Sequence, residues 1–546
     1  MSDITISLAS LAILLVVYRL YKRWRRISIA HVPGPEPVSF LLGNLGEIYQ
    51  CQAMEAEFKW QQIYGDVVRF KASFGEDRLL VSDPKALQYI YQTAGYRFHK
   101  QPERREMTRL ISGRGILWAD GAIHRRHRKV MLPGFGGPEV KAFIPLFSAI
   151  ASQLTEKWKE IISDGSGESA VIDVPHWASR ATMDAIGEAA FDYRFGVIDH
   201  EGNALGKAYF NLFADTFGTP SKAQIIATSI MGHIPTQILE WLGDYLPSPK
   251  LHHARHTAEV ATNVAKSLVD SKFKALLQGQ GKRDIMSLLV KANVSEKETA
   301  RLNEEELLAQ MRTIILAGHE TTANCLSWTL LELSRHPEMQ KHLRNEIRTM
   351  EKNIQAREDT EFSPRDYEAM PYLSAVLKES LRYHPVAFNS FRQAADDDVL
   401  PLSTPIITVS GEVITELPIP KGTKIVTSIG GYNRNQDIFG QDAHIFNPER
   451  WLRPDGVKKM VSIGVYSNLL SFAGGVRSCI GWKFALLEMQ TFLVRLINDF
   501  EFSLTPEAHK VRREPCLVMI PTVEGQVERG AQLPLEVRIA HREEVE

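Results

Sequence analysis

Cys479 is the residue of this sequence whose setting best suits metal chemistry. It lies in the glycine-rich segment FAGGVRSCIG (residues 472–481), and an apolar pattern typical of a helix follows over residues 482–497. A thiol at the start of a helix is predicted to have a lowered pKa, because the helix N-terminus and the free loop amides stabilise the thiolate. A thiolate is a strong ligand for iron, so this loop is a candidate metal site.

Other residues of the same segment suit a large, flat ligand that carries a carboxylate. Gly475 and Gly481 have no side chain, so the backbone could approach such a ligand closely there. Arg477 could form a pair of hydrogen bonds with the carboxylate. Considered alone, Cys479 could equally be a buried, inert thiol. The four cysteines of the chain are spaced too widely for a disulfide scaffold or a zinc finger.

A second candidate site interrupts a predicted buried helix. Asn303 and Glu306 have the spacing of a helix N-cap with a capping box. The apolar helical pattern that follows is broken at AGHETT (residues 317–322) and resumes at Leu326. Glycine lowers helix stability, and Glu and Thr bring polar groups into an apolar run. A kink or an exposed turn would explain this segment, but an unfavourable stretch in mid-helix is also typical of a functional site.

Glu379 and Arg382 form a possible ion pair on another predicted helix, which runs from Pro371 to about His384. Residues at positions i and i+3 share a helix face, so the carboxylate and the guanidinium can meet. Most such pairs are solvated pairs on the surface. The apolar residues that surround this pair in the sequence favour burial instead, where the pair needs further partners.

The elements that must position these residues indicate a large helical domain with a few strands. Residues 67–70 and 78–81 predict a hairpin, and residues 423–428 predict a further strand. The rest of the sequence is mostly helical in pattern and contains no internal repeat or low-complexity tract. The predicted fold class is therefore mainly α with small β-sheets (α+β). A large internal cofactor would explain why the domain exceeds the usual size.

The loop around Cys479 resembles the haem-binding signature of the cytochrome P450 family. Phe472, Gly475, Arg477, Cys479 and Gly481 fill all five fixed positions of that signature. The resemblance implies the cytochrome P450 fold and haem b (iron protoporphyrin IX) as the cofactor. It further implies that Cys479 is the iron ligand and that the other four residues contact the cofactor.

The segment AGHETT resembles the oxygen-activation helix of the family. This match implies catalytic roles for Glu320 and Thr321, with Gly318 at a point where the helix loosens beside the iron. The reaction needs protons in a pocket that is poor in water. A hydroxyl and a carboxylate side by side can relay these protons from solvent.

Two other motifs occur in the order that the family shows. Glu379 and Arg382 resemble its Glu-x-x-Arg pair, and Arg450 resembles the second arginine of the same cluster, for which a structural role is implied. The third motif departs from the family, which usually has Trp-x-x-x-Arg at the haem edge. Here His124 replaces the Trp, and Arg128 keeps its place.

His124 in place of the Trp is still expected to contact the cofactor, because an imidazole can also donate to a haem propionate. His124 and Arg128 are therefore predicted to bind the propionates, with a solvated basic face as the alternative. Arg392 is a further propionate partner that the resemblance implies. The surrounding residues 97–129 contain ten Lys or Arg against three Asp or Glu. Part of this charge could therefore dock an acidic redox partner.

The first thirty residues predict a membrane anchor. Residues 4–17 are apolar, and five cations follow between Tyr18 and Arg26. A cleavable signal peptide has its positive charge before the apolar run. The expectation is an uncleaved transmembrane helix with a cytoplasmic basic flank, and a helix lying in the membrane interface is the alternative. The predicted division is an anchor at residues 1–26, a Pro-rich linker at 27–40 and a cytochrome P450 haem domain at 41–546.

The resemblance implies a haem-thiolate monooxygenase that transfers one oxygen atom from O₂ to a lipophilic organic substrate. The sequence has no dinucleotide fingerprint, so the implied electron donor is a separate NADPH–cytochrome P450 reductase at the endoplasmic reticulum membrane. A haem-thiolate isomerase or dehydratase is the alternative, and a haem sensor or carrier is a third. The presence of Thr321 argues against both. A net charge of −1 gives no electrostatic reason to bind nucleic acid.

The substrate class is predicted only broadly. The apolar segments 208–217 and 225–246, together with the anchor, indicate a pocket reached from the membrane. Four residues are predicted to line that pocket: Ala317, Val386, Phe388 and Asn389. The overall pattern resembles fungal-type enzymes of the family, which often oxidise terpenoids, fatty acids or xenobiotics, including in the biosynthesis of secondary metabolites.

Overall fold

The computed structural model describes residues 27–165, 167–200, 203–209, 211–278, 284–297, 300–458 and 460–541. The predicted anchor at residues 1–26 lies outside the described residues. Within the described part of the chain, none of the helices combines the length and the apolar character needed to cross a bilayer.

Helices make up most of the body. They are α1 (Leu45–Gln50), α2 (Glu55–Tyr64), α3 (Pro84–Gln88), α4 (Pro102–Ser112), α5 (Gly121–Met131), α6 (Gly137–Lys141), α7 (Ile144–Asp164), α8 (Val174–Phe191), α9 (Ala204–Tyr209), α10 (Leu212–Phe217), α11 (Lys222–Met231), α12 (Thr236–Tyr245), α13 (Pro249–Leu277), α14 (Ile285–Ser295), α15 (Glu304–Arg335), α16 (Pro337–Gln355), α17 (Pro364–Glu368), α18 (Pro371–Tyr383), α19 (Ile429–Asn433), α20 (Gln436–Phe439) and α21 (Trp482–Asp499).

The strands form small sheets. They are β1 (Val67–Lys71), β2 (Asp77–Val81), β3 (Phe98–Lys100), β4 (Ser169–Asp173), β5 (Asn389–Ala394), β6 (Asp398–Ile407), β7 (Val413–Ile419), β8 (Lys424–Ser428), β9 (Gly464–Tyr466), β10 (Leu469–Gly474), β11 (Phe500–Leu504), β12 (Val511–Pro515), β13 (Met519–Val523) and β14 (Pro534–Ile539). The largest sheet has the order β1-β2-β8-β5-β3, with β2 and β8 parallel and the other pairs antiparallel.

Helix α15 is the central element of the core. Both ends and the middle of its 32 residues carry buried side chains, and it packs along α8 over much of its length. It also contacts α13, α18 and α21. The segments that carry the candidate site residues therefore meet around one helix.

The structure confirms the predicted local elements. The hairpin is formed by β1 and β2, and the strand predicted at residues 423–428 is β8. Asn303 caps α15, and both hydrogen bonds of its capping box with Glu306 are present. The helix predicted from Pro371 is α18, which ends at Tyr383. A mainly helical body with small sheets is the predicted fold class.

Candidate active site

The loop that carries Cys479 is closed by a hydrogen bond of its own backbone and is held by residues of other segments. The Cys479 amide donates to the Phe472 carbonyl at 2.8 Å, which joins the end of β10 to the start of α21. Gly475 has φ +60°, and a Cβ there would lie 2.0 Å from the Tyr91 carbonyl oxygen, so only glycine fits this approach. Arg128 of α5 donates to the Ser478 carbonyl at 2.6 Å and to its hydroxyl at 3.1 Å.

The Cys479 side chain opens on a space inside the protein. It is exposed, yet burial by the surrounding residues raises the pKa of its thiol, while the Gly481 amide and Arg128 act in the opposite direction. The prediction of a lowered thiol pKa is therefore wrong for the polypeptide alone, because desolvation outweighs the loop amides. A coordinated metal cation would deprotonate the thiol outright.

Cations from distant segments gather close to this loop. Lys100 of β3 is the cross-strand partner of Arg392 of β5, an arrangement in which like charges destabilise a sheet. Burial first, and then Arg392, lower the pKa of Lys100 well below its usual value. Arg477 also lowers it. Asp120 opposes these charges through its ion pair with Arg477.

His124 lies beside the same cations. It is buried, its Nδ1 lies 2.9 Å from the Tyr96 hydroxyl, and its other ring nitrogen has no partner among the described residues. Burial, followed by Lys100, Arg477 and Arg128, lowers the pKa of His124 to about 3. The imidazole is therefore neutral at physiological pH.

These residues fit a cofactor with two carboxylates. Four potential donors, His124, Arg128, Arg392 and Arg477, lie near the cysteine loop, while the Lys100 ammonium beside them donates to the carbonyls of Ile116, Leu117 and Ala119. Among the described residues, the Arg477 Nε is buried without a hydrogen-bond partner, and buried Arg392 has only the Phe391 carbonyl as an acceptor. An uncompensated buried cation is costly, so the cluster calls for further anions. The two propionates of haem, placed beside an inward-facing thiol, match this donor set.

The AGHETT segment is part of one continuous helix, because α15 runs unbroken from Glu304 to Arg335. A kink therefore does not explain the glycine. A Cβ on Gly318 would lie 2.7 Å from Ile186 of α8, so the glycine permits close packing of the two helices. The Thr321 hydroxyl donates to the Ala317 carbonyl at 2.7 Å. Ala317 is exposed within an otherwise buried stretch of α15 and so faces an internal space.

Glu320 belongs to a polar cluster between α8 and α15. It accepts hydrogen bonds from the Ser179 hydroxyl at 3.2 Å and from the Asn324 amide at 3.2 Å. The His319 Nε2 lies 3.5 Å from the same carboxylate. A cavity of about 20 Å³, lined in part by Glu320, Ser179 and Asn324, lies beside it. That volume holds about one water molecule, which could be a neighbour of the Glu320 carboxylate.

Helix α21 connects the cysteine loop with α15. Glu488 is buried nine positions after Cys479 and lies beside Thr322. Burial raises the pKa of Glu488 well above its usual value. Through this contact, the segment of α15 that carries Thr321 and Glu320 packs against α21, the helix that begins after Cys479.

The three residues of the predicted structural cluster meet in the core. Arg382 Nε and Nη2 donate to the two oxygens of Glu379 at 2.8 and 2.6 Å. Arg450 Nε donates to the same oxygens at 3.1 and 3.2 Å, and Trp451 Nε1 donates at 2.9 Å. Glu379 and Arg382 are fully buried.

The residues predicted to line the substrate pocket have different environments. Ala317 faces the internal space, whereas Val386 and Phe388 are buried. The Asn389 amide donates to Glu57 of α2 at 2.6 Å, so it braces β5 against that helix. Contact of these four residues with a substrate stays a prediction.

Several residues of the site were not identified from the sequence. Lys100, Asp120 and Tyr96 join the cation cluster, and Ser179 and Asn324 join Glu320. A local signal existed for Asp120, since an Asp before Gly121 has the pattern of a helix N-cap, and its carboxylate accepts from the Gly121 amide at 2.9 Å. Asn324 is four residues after Glu320 on the same helix, and Lys100, Tyr96 and Ser179 are brought in by contacts between distant segments.

A helical body with this cysteine loop, beside buried arginines whose hydrogen bonds are incomplete, fits a haem-thiolate protein. Comparison with known proteins agrees with this class. The profile of the family Cytochrome P450 matches residues 33–529. The chain belongs to the cytochrome P450 family, whose members bind haem b with a cysteine thiolate as the axial ligand, and it is a cytochrome P450 monooxygenase.

Individual relatives match nearly the whole chain. Cytochrome P450 monooxygenase 205 of Postia placenta is 31% identical over 557 residues, which cover 99% of this chain and 98% of the relative. Cytochrome P450 monooxygenase claQ of Ampulloclitocybe clavipes is 31% identical, with coverage of 96% and 95%. Ganoderic acid synthetase CYP5150L8 of Ganoderma lucidum is 34% identical, with coverage of 88% and 89%.

Proposed function

We propose that Cys479 is the axial ligand of haem b and that the enzyme oxidises a lipophilic organic substrate. The observation that carries this proposal is the setting of Cys479. Its thiol faces an internal space, while its loop is fixed by the Phe472 carbonyl and by Arg128. Haem with an axial thiolate supplies the activation of O₂, which no protein side chain provides.

The chain's own residues hold the cofactor and manage protons. His124, Arg128, Arg392 and Arg477 bind the propionates. Glu320 takes up protons from the polar cluster with Ser179 and passes them to the Thr321 hydroxyl, which presents them to the internal space. Burial raises the pKa of the Cys479 thiol, so binding of the metal is coupled to loss of the thiol proton.

Electrons come from a separate NADPH–cytochrome P450 reductase, and residues 1–26 attach the enzyme to the endoplasmic reticulum membrane. The surface near the start of the described chain supports this attachment, since the side chains of Val38, Phe40 and Leu41 are 78%, 69% and 53% exposed. Ile238, Trp241 and Tyr245 of α12 are also exposed. The name of one relative supports including precursors of ganoderic acid in a substrate panel.

Incorporation of labelled oxygen tests the proposed reaction. We expect the purified full chain, supplied with haem, reductase and NADPH, to convert a member of a terpenoid and fatty-acid panel to a product two mass units heavier under ¹⁸O₂ than under ¹⁶O₂. Label from H₂¹⁸O should not enter the product. A product that forms without NADPH and without label would instead indicate an isomerase or dehydratase.

The same assay tests the role of Thr321. In Thr321→Ala we expect NADPH consumption to continue while product formed per NADPH falls by about tenfold or more, because the hydroxyl that delivers protons is lost. Thr321→Ser keeps the hydroxyl and should keep most of the product yield. An unchanged yield in Thr321→Ala would exclude Thr321 from the proton route.

A further inference from the structure

A second cavity lies beside the loop that follows α4, and Gly113 and Arg114 of that loop contribute to its lining. Its volume is about 320 Å³, and it lies between the end of α4, α12, α13 and α15. A cavity of this size can accept part of an organic ligand. Its charged lining consists of four arginines and two carboxylates: Arg109, Arg114, Arg255, Arg312, Asp244 and Glu305.

Two of the four arginines are already neutralised. Arg109 binds Asp244 at 2.7 Å and Glu106 at 2.8 Å, and Arg114 binds Glu240 at 3.1 Å. The carboxylate of Asp244 is therefore engaged, and Glu106 is buried behind Arg109.

Arg255 and Arg312 have no ion pair in the part of the chain that is described. Arg255 donates only to backbone carbonyls, those of Gly243 and Asp244 at 2.9 Å and that of Leu246 at 3.2 Å. The remaining acid of the lining, Glu305, is exposed to solvent at the first turn of α15. The wall of the cavity therefore presents two guanidinium groups without a carboxylate partner.

Arg312 has the less favourable electrostatic environment of these two arginines. Its Nη1 donates to the Thr262 hydroxyl at 3.1 Å and its Nη2 to the Ile111 carbonyl at 3.0 Å, but its Nε is buried without a hydrogen-bond partner. Burial lowers the pKa of Arg312 most and Arg109 lowers it further, whereas Tyr209 and Glu305 act in the opposite direction. A guanidinium in this state gains from any added anion, because a buried, unsatisfied donor next to a like charge is costly.

The cavity lies beside the helix that carries the candidate active site. Arg312 precedes Ala317 by five residues on α15, which corresponds to about 7.5 Å along the helix axis and about 140° around it. The loop that follows Ile111 covers α15, since the Ile116 amide donates to Gln310 at 2.9 Å. Lys100, a member of the cation cluster, donates to the Ile116 and Ala119 carbonyls of this same loop.

We propose that this cavity binds a carboxylate, and that Arg312 and Arg255 hold the acidic end of a lipophilic substrate. The planar fork of a guanidinium matches the two oxygens of a carboxylate. The lining also contains the apolar Leu110 and Ala258, which suit the start of a hydrocarbon chain. This inference rests on the proposed oxidation of a lipophilic substrate and names an acidic group on it.

Binding of two matched probes to the haem-loaded full chain tests the inference. Dodecanoate and 1-dodecanol have the same chain length, and only the first carries a carboxylate. By calorimetry we expect dodecanoate to bind at least about tenfold more tightly than dodecanol, because a charged hydrogen bond forms. Competition by acetate would show that the site also accepts a free carboxylate, and lack of competition would show that it needs the attached chain. Both results support the carboxylate site.

Two variants assign the effect to this cavity. Arg312→Gln and Arg255→Gln should each weaken dodecanoate binding by about tenfold and leave dodecanol unchanged. Arg255 contacts only carbonyls, so its variant remains informative if Arg312→Gln does not fold. Arg301 offers a matched control, because it too donates only to carbonyls, and Arg301→Gln should not alter binding.

Equal binding of the two probes, absence of dodecanoate binding, or unchanged dodecanoate binding in both variants would overturn the inference. The carbon monoxide spectrum of the reduced protein separates this failure from failure of the proposed function. If the thiolate-type band is intact but dodecanoate does not bind more tightly than dodecanol, only the proposed carboxylate site is rejected. Loss of that band in the parent protein rejects the assignment of Cys479.

Discussion

Replacing Cys479 with serine is expected to abolish the thiolate-type Soret band of the reduced carbon monoxide complex and to lower product formation by more than about 100-fold. Partners in the outer shell of a metal site typically contribute 10- to 100-fold, so loss of the axial ligand itself must cost more. A serine hydroxyl is a far weaker donor to iron than a thiolate. The measurements are the difference spectrum and the rate of product formation with reductase and NADPH.

The chain contains a suitable control for this experiment. Cys51 follows α1 and is half-buried, and burial and then Glu55 raise the pKa of its thiol. It has neither a glycine-rich loop nor an arginine in the position of Arg128. Cys51→Ser should therefore leave both the spectrum and the rate unchanged. Survival of the Soret band in Cys479→Ser, or its loss in Cys51→Ser, would contradict the assignment.

The sequence predicted those parts of the site whose contacts are local. Glu379 and Arg382 are three residues apart on one helix, so the spacing alone predicted that they meet. The capping box of Asn303 and Glu306 was also readable, because both partners lie within one turn. The resemblance added residues of distant motifs, such as Arg450, whose contact with Glu379 no local pattern predicts.

The parts that were not predicted depend on long-range packing. Lys100 becomes a neighbour of Arg392 only because β3 pairs with β5, and Ser179 reaches Glu320 only because α8 packs on α15. The pKa of Cys479 is the clearest case. Its loop position favours the thiolate, but the degree of desolvation depends on the whole body around it. Gly318 is explained in the same way, by a neighbour on another helix.

Replacing Glu379 with glutamine is expected to lower the free energy of unfolding by about 3–5 kcal/mol, because it leaves Arg382 and Arg450 buried without their shared counter-charge. The amide cannot replace the carboxylate. Donors from Arg382, Arg450, Trp451 and the Asn447 amide converge on the two oxygens of Glu379. Glutamine offers one oxygen and turns an NH₂ group towards the remaining donors. Urea unfolding of the haem-loaded protein measures the change.

The same variant should also lose haem more easily, because the cluster supports the strand that leads to Cys479. Arg382 donates to the Asn433 carbonyl at 3.1 Å, and the Asn433 side chain accepts from the Leu470 amide of β10 at 3.0 Å. Glu368 is the control. It pairs with Lys141 on the surface, where the Glu368 side chain is 66% exposed and the Lys141 side chain 53%. Glu368→Gln should change stability by less than about 0.5 kcal/mol. If Glu379→Gln matched Glu368→Gln in both stability and haem retention, the cluster would not be the brace that joins α18 to the cysteine loop.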